Sequence, residues 1–369
     1  MQEKQQGYTP FQAATAYSKC KQLAKRLEAR GKTTQVQSSF GTTMRKATLL
    51  YNPDSGGSHG QRQAEVESVV ALLRAASVEA ELILTHSPAE AEQKSRQAIQ
   101  SGCDTVFACG GDGTIHTILQ VLANTHVALA ILPMGTANAL AHDLGLPIDL
   151  KGAARAALTG TPRRVALGRI QYIDLHGKPG TRFFVVAAGA GVDAHLFYKL
   201  HAGTKQRMGM AAYYAKAWHL WFTHPMTRFQ VEFNGTGSET PRKANVTELM
   251  AVRIRNFGGI LQELAPGASL DRRDVRVVSC TTASRLAYLL YVTRGLLRRN
   301  WKVPGIELAY SERVSCQYLP ESEIAGTEIA GTKTADTKIY VETDGELVGT
   351  LPAEITVVPD ALTLLAPAK

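Results

Sequence analysis

Asp104-Thr-Val-Phe-Ala-Cys-Gly-Gly-Asp-Gly-Thr-Ile-His-Thr-Ile-Leu119 is the stretch on which the fold of this chain turns. An apolar run ending at Cys109 gives way to three glycines around Asp112. From Thr114 onward, Ile115, Ile118, Leu119 and Leu122 recur at helical spacing. That order predicts a strand, a tight turn and a helix. A strand that is apolar on both faces belongs inside a parallel sheet covered on both sides.

The same alternation extends outward from this unit. Lys46–Tyr51, Ala80–Thr85 and Val127–Leu132 read as further apolar strands, with helices expected over Gly60–Ala76 and Pro88–Ser101. Alternating strands and helices predict an α/β N-terminal nucleotide-binding domain with a parallel sheet. After about Arg163 the character changes. Strands are expected over Arg164–Leu175, Thr181–Ala188, Phe229–Asn234, Glu248–Asn256, Val275–Cys280, Ile306–Gln317, Thr337–Thr343 and Glu354–Val358. Helices over Gly209–Phe222 and Ser284–Arg298 interrupt them. Such a run predicts a β-rich, sandwich-like C-terminal domain. The expected organisation is a basic extension over 1–45, an α/β domain over 46–162 completed by 353–369, and a β-rich domain over 163–352. Glu323-Ile-Ala-Gly-Thr327 is repeated at once as Glu328–Thr332, and predicts a mobile insertion at 321–337.

Ligands of open α/β sheets bind beyond the carboxyl ends of the strands. Three of the four expected ends are rich in glycine: Asn52-Pro-Asp-Ser-Gly-Gly57, Gly110-Gly-Asp-Gly-Thr114 and Pro133-Met-Gly-Thr-Ala-Asn138. Glycine lets backbone N–H groups approach a polyphosphate that a β-carbon would hold away. A helix opening at Thr114 adds a dipole that favours anions. Asp112 inside such a cradle makes sense if Mg²⁺ bridges carboxylate and phosphates. The plain alternatives are a helix-entry turn capped by Asp112 and, for Asp344-Gly-Glu346, a hairpin turn, since Asp-Gly is a strong turn signal.

The order of these segments resembles the diacylglycerol kinase catalytic domain, shared by sphingosine and ceramide kinases and, in part, by NAD kinases. The likeness rests on Asn52–Gly57, Gly110–Thr114, Pro133–Ala141 with Leu144-Gly-Leu-Pro147, Gly189-Ala-Gly-Val-Asp193, Asp344-Gly-Glu346 and Leu351–Pro359, and spans about residues 46–367. It implies ATP in a cleft between two domains. Asn52, Pro53, Ser55, Gly56, Gly57, Thr85, Gly110, Gly111, Gly113, Thr114, Gly135, Thr136 and Asn138 would surround the nucleotide. Asp112 would act through Mg²⁺, Glu346 would be the general base on the acceptor hydroxyl, and Asp344 would support it. The implied acceptor is a primary hydroxyl of diacylglycerol or a related lipid such as a sphingoid base or phosphatidylglycerol. The chain departs from the family at Thr117, where a Glu is usual, and at Ala188, where Asn is common. The resemblance implies a structural cation at an Asp-Asp-Gly segment of the second domain; here Asp271 remains as the candidate ligand, and Arg272 and Arg273 replace the rest. An NAD kinase would carry a downstream Asn-Glu segment, whereas Asn138 is followed by Ala139-Leu-Ala141. A nonenzymatic nucleotide- or lipid-binding module would be expected to lose Asp112 and Glu346, and both are present.

Composition bounds the partners. The chain has 369 residues, 44% hydrophobic and 20% charged, with net charge +9. Eight basic residues of 1–45 (Lys4, Lys19, Lys21, Lys25, Arg26, Arg30, Lys32, Arg45) face only Glu3 and Glu28. A basic arm suggests an anionic partner. Phe11–Arg30 could form a helix with Ala13, Tyr17, Cys20, Ala24 and Leu27 along one side, which suits peripheral contact with an anionic membrane. No basic-aromatic interleaving points to nucleic acid. Neither Met208–Phe222 nor Leu286–Leu297 reaches the roughly 18 apolar residues of a membrane span, and no secretory signal is visible. Five cysteines without metal-ligand spacing suggest reduced thiols in a cytoplasmic protein. A homodimer stays open.

Overall fold

The computed structural model describes residues 44–53, 59–192, 226–234, 241–258, 263–297, 299, 301–320 and 338–367. The expectations for the basic arm, for Ser55, Gly56 and Gly57, for the helix over Gly209–Phe222, for Asp193 and for the Glu323–Thr332 repeat lie outside these residues.

The first half follows the alternation. β1 (Lys46–Tyr51), α1 (His59–Ala75), β2 (Glu79–Leu84), α2 (Pro88–Gln100), β3 (Thr105–Gly110), α3 (Asp112–Leu122) and β4 (Ala128–Pro133) succeed one another. β2, β1, β3 and β4 lie side by side and parallel in that order. β3 and β4 are buried at every residue, as their unbroken apolar sequences require. Successive side chains point to opposite faces, so each strand feeds two cores. Leu49, Tyr51, Phe107 and Leu132 pack under α1. Leu50, Val106, Ala108 and Ile131 pack on the face that holds Ile115, Ile118, Leu119 and Leu122 of α3. Two short helices then appear that the hydrophobic pattern did not predict, α4 (Ala139–Asp143) and α5 (Leu150–Thr159). The second is capped by Asp149, whose carboxylate accepts the N–H of Gly152 at 2.7 Å.

The rest is antiparallel and β-rich. β5 (Thr161–Ile173), β6 (Pro179–Phe184), β7 (Ala187–Gly191), β8 (Phe229–Asn234), β9 (Arg242–Val246), β10 (Glu248–Val252), β11 (Val275–Cys280), α6 (Arg285–Leu296), β12 (Ile306–Ser311), β13 (Arg313–Gln317), β14 (Tyr340–Thr343) and β15 (Glu346–Ala366) complete the order. One branch runs β12-β11-β10-β7-β14, and another runs β6-β5-β15-β13-β8-β9. Residues from both branches, among them Ala190, Leu249, Val277, Ile170, Val231 and Val314, share a third core.

β15 is the member that joins the two sheet regions. Its start pairs with β14, its middle with β13 and β5, and its end lies parallel to β4, with Thr363 opposite Ala128. The sequence predicted only Glu354–Val358, because Pro352 and Pro359 read as strand ends. Both prolines fall where the register with β5 shifts, between Thr350 and Glu354 and between Val358 and Leu362, so the 21-residue strand passes through them.

Candidate active site

Four strand ends meet around the glycine loops. At the end of β1, the N–H of Asn52 donates to Cys109 O at 3.2 Å, and Pro53 follows it into the turn. At the end of β2, Thr85 is buried, and its N–H donates to Tyr51 O at 2.8 Å. Gly110 is the last residue of β3 and Gly111 the N-cap of α3. A β-carbon on Gly110 would stand 2.3 Å from Thr114 Oγ1, so Thr114 folds back over the strand end only because Gly110 has none. A β-carbon on Gly135 would stand 2.6 Å from Gly111 Cα, so the two loops touch backbone to backbone. Asn138 closes the β4 loop. It adopts a positive φ of 49°, accepts the Gly135 N–H at 2.8 Å and donates to Gly135 O at 2.9 Å. Thr136 at the tip is exposed.

Helix α3 begins at Asp112, two residues before the predicted start, so Asp112 sits in the first turn. Its Oδ1 accepts the N–H of Ala139 at 2.9 Å, which ties the β3 loop to α4. Burial lifts the Asp112 carboxyl above its ordinary value, and the charge of Asp344 adds to that, against the pull of N–H donors at Ala139 and Asn138. Thr117, where a carboxylate was expected, donates its hydroxyl to Gly113 O at 2.9 Å within the helix.

Asp344 and Gly345 form the two-residue turn between β14 and β15, both with positive φ (48° and 82°). The hairpin reading was therefore right about the backbone. The carboxylate, however, points inward and is 2% exposed. It accepts N–H groups from Val185, Val186 and Ala187 at 2.8–3.1 Å, and lies 3.2 Å from His116 Nδ1. An ionised carboxylate only accepts, so that contact puts the proton on Nδ1. Two residues on, Glu346 Oε1 lies 3.1 Å from where a β-carbon on Gly113 would stand. Glu342 supports the turn from behind, accepting the Gly345 N–H at 2.8 Å.

The fold thus gathers Asp112, Asp344 and Glu346 at the N-terminus of α3, beside the cradle made by Gly111, Gly113 and Gly135. Sequence reading missed two neighbours. His116 follows Asp112 by one helical turn, a spacing that could have flagged it. Arg62 on α1 donates to Met134 O at 3.0 Å and braces the β4 loop from a helix not expected to take part.

Asp271 lies apart from this centre and pairs with Arg163 at 3.4 Å. Near the segment where a structural cation was considered, the fully buried Arg253 guanidinium lies among backbone carbonyls. It donates to the carbonyls of Ala166, Leu270 and Arg272 at 2.9–3.1 Å and also to that of Asp274. Burial lowers its pKa to about 10, so it stays protonated at neutral pH. Arg272 in turn holds the Asp274 carboxylate through both oxygens at 2.6 and 2.7 Å. Among the described residues, no three His, Cys, Asp or Glu side chains are placed to share one metal ion, so Asp112, Asp344 and Glu346, though neighbours, do not form a ligand set by themselves.

Comparison with known proteins agrees with this architecture. Residues 46–170 match the diacylglycerol kinase catalytic domain. A diacylglycerol kinase of Mycobacterium tuberculosis is 29% identical over 323 residues, covering 87% of this chain and 95% of the relative. A diacylglycerol kinase of Bacillus subtilis is 25% identical over 316 residues, covering 84% and 93%. The crystal structure of a diacylglycerol kinase from Bacillus anthracis superposes with a TM-score of 0.62 at 17% identity, over 88% of this chain and 98% of the other.

Proposed function

We propose that this chain, whose residues 46–170 match the diacylglycerol kinase catalytic domain, is a lipid kinase that transfers the γ-phosphate of ATP to the primary hydroxyl of diacylglycerol or a closely related lipid. The observation that carries this reading is the convergence of Asp112 and Glu346 on either side of Gly113, at a helix N-terminus, with glycine backbone on the phosphate side.

Phosphoryl transfer asks a protein mainly for positioning and neutralisation of charge. The cradle would take a triphosphate at the N-terminus of α3, where Gly111 and Gly135 let the two loops pack backbone to backbone and helix N–H groups favour an anion. It also fits Mg²⁺, because the desolvated Asp112 carboxylate and the nearby Asp344 charge repel each other without a cation. Mg²⁺ suits one carboxylate plus phosphate oxygens, and when bound it supplies charge neutralisation to the transferring group. Asp112 would hold it. The N-terminus of α3 would face the phosphates with unpaired N–H groups. Glu346 would accept the proton of the acceptor hydroxyl as the bond to phosphorus forms. Asp344 does not need to touch substrate. Held by three backbone N–H groups and His116, it fixes the turn that presents Glu346.

Incubation with γ-labelled ATP and a panel of diacylglycerol, sphingoid base and phosphatidylglycerol tests this reading. Label should appear in at least one lipid. Glu346→Gln should cut kcat by roughly 10²-fold or more while ATP affinity changes little. No labelled lipid, or a Gln variant that weakens ATP binding at unchanged rate, would overturn the assignment.

A further inference from the structure

Helix α6, Arg285-Leu-Ala-Tyr-Leu-Leu-Tyr-Val-Thr-Arg-Gly-Leu296, is amphipathic in the reverse sense. Its buried side carries Ala287, Tyr288, Tyr291, Arg294 and Gly295. The hydroxyls of the two tyrosines are bonded inside the protein. Tyr288 Oη lies 2.8 Å from Thr247 Oγ1, Tyr291 donates to Leu264 O, and the Arg294 guanidinium lies over the Tyr291 ring at 4.5 Å. The leucines face out. Leu286 is 63% exposed, Leu289 and Leu290 41% each, and Leu297 just past the helix end 59%. Spacing of three, four and eleven residues puts all four on one stripe. Scattered exposed leucines need no explanation, but a stripe of them on one helix does.

The surroundings say what would cover that stripe. Just beyond the helix, Arg299 and Lys302 are exposed, and Trp301 between them is 38% exposed. Apolar residues on one face, a tryptophan at its margin and flanking cations are the composition of a segment lying in a headgroup region. The cations choose an anionic surface. Ala287 and Tyr291 belong to the same large hydrophobic core as Val185, Val186 and Ala187, whose N–H groups hold Asp344.

We propose that the leucine face of α6 is the surface by which this protein docks on an anionic bilayer. The inference rests on the reading of the acceptor as a bilayer lipid, and it assigns the membrane contact to the body of the protein. The test is sedimentation of the full chain with vesicles of phosphatidylcholine containing phosphatidylglycerol. Wild type should pellet with them. A Leu286→Gln, Leu289→Gln, Leu297→Gln variant should lose binding by roughly 10-fold or more, and so should single Leu286→Gln in part, should the triple variant fold poorly. Turnover of a short-chain, water-soluble diacylglycerol should be unchanged by the triple substitution, while turnover of vesicle-borne diacylglycerol falls. Absence of turnover in wild type on every lipid of the panel, soluble or vesicle-borne, would sink the kinase reading and leave the vesicle result to stand alone. Wild type that does not pellet, or a folded variant that pellets equally, would overturn the docking surface. So would a wild-type dimer that the variant converts to monomer at unchanged vesicle binding, because the face would then join two copies.

Discussion

Asp112 shows how a single residue can serve chemistry against stability. Its raised carboxyl means that the folded state holds a proton more tightly than the unfolded state does. A group shifted in this direction costs stability once pH exceeds the unfolded value, and costs nothing at pH below it, where both states are protonated. Asp112→Asn should therefore abolish transfer yet melt no lower than wild type at neutral pH, with the difference between the two proteins shrinking as pH falls. Thermal melts over acidic and neutral pH check this, and a variant that is much less stable at neutral pH would mean that the carboxylate is structural. At this scale the sequence was half legible. Asp344-Gly345 announced a turn, and it is one. That the Asp344 carboxylate turns inward to three N–H groups from 185–187 could not be read, because those partners are about 160 residues away and offer backbone, which carries no residue signature.

Among elements, the strands and helices from Lys46 to Pro133 were legible because burial on both faces writes an unbroken apolar run between helical stretches. α4 and α5 were not. α4 is only five residues long, and α5 carries its face on Leu150, Ala153, Ala154 and Ala157, whose helical spacing the reading passed over. β12 and β13 were read as one strand over Ile306–Gln317, yet a break at Glu312 sends them to different partners, β11 and β8. The β3 and β4 loops, by contrast, were identified by their glycines, and the structure gives the reason in the contact of Gly111 with Gly135. Gly135→Ala should force these backbones apart, since the new β-carbon meets Gly111 Cα at 2.6 Å and neither side can yield like a flexible side chain. A stability loss of about 1–3 kcal/mol is expected from such overpacking, with ATP affinity falling more than kcat. Isothermal titration and denaturant melts separate the two effects. Unchanged ATP binding would show that the loop contact does not shape the phosphate site.

At the scale of the whole molecule, Arg253 is the residue that ties distant segments together. Its guanidinium gathers carbonyls from β5 and from the 270–274 turn onto the end of β10. Removing a buried charge and leaving its partners unsatisfied costs about 3–5 kcal/mol, so Arg253→Met should lower the melting temperature sharply. Chelation should leave the melting temperature of the wild type unaltered, because Arg253 already satisfies the carbonyls gathered there. A large drop with EDTA would show that a metal is needed after all. β15 has a consequence of another kind, in the order of events during synthesis. β4 and β5 emerge from the ribosome early, but the strand that lies between them comes some 200 residues later. Until then β4 has an open edge able to pair with a foreign strand. Contacts of such long sequence separation form slowly, so nascent chains stalled before Leu362 should be protease-sensitive throughout the first sheet and dependent on chaperones, and acquire resistance in one step when the last strand is released.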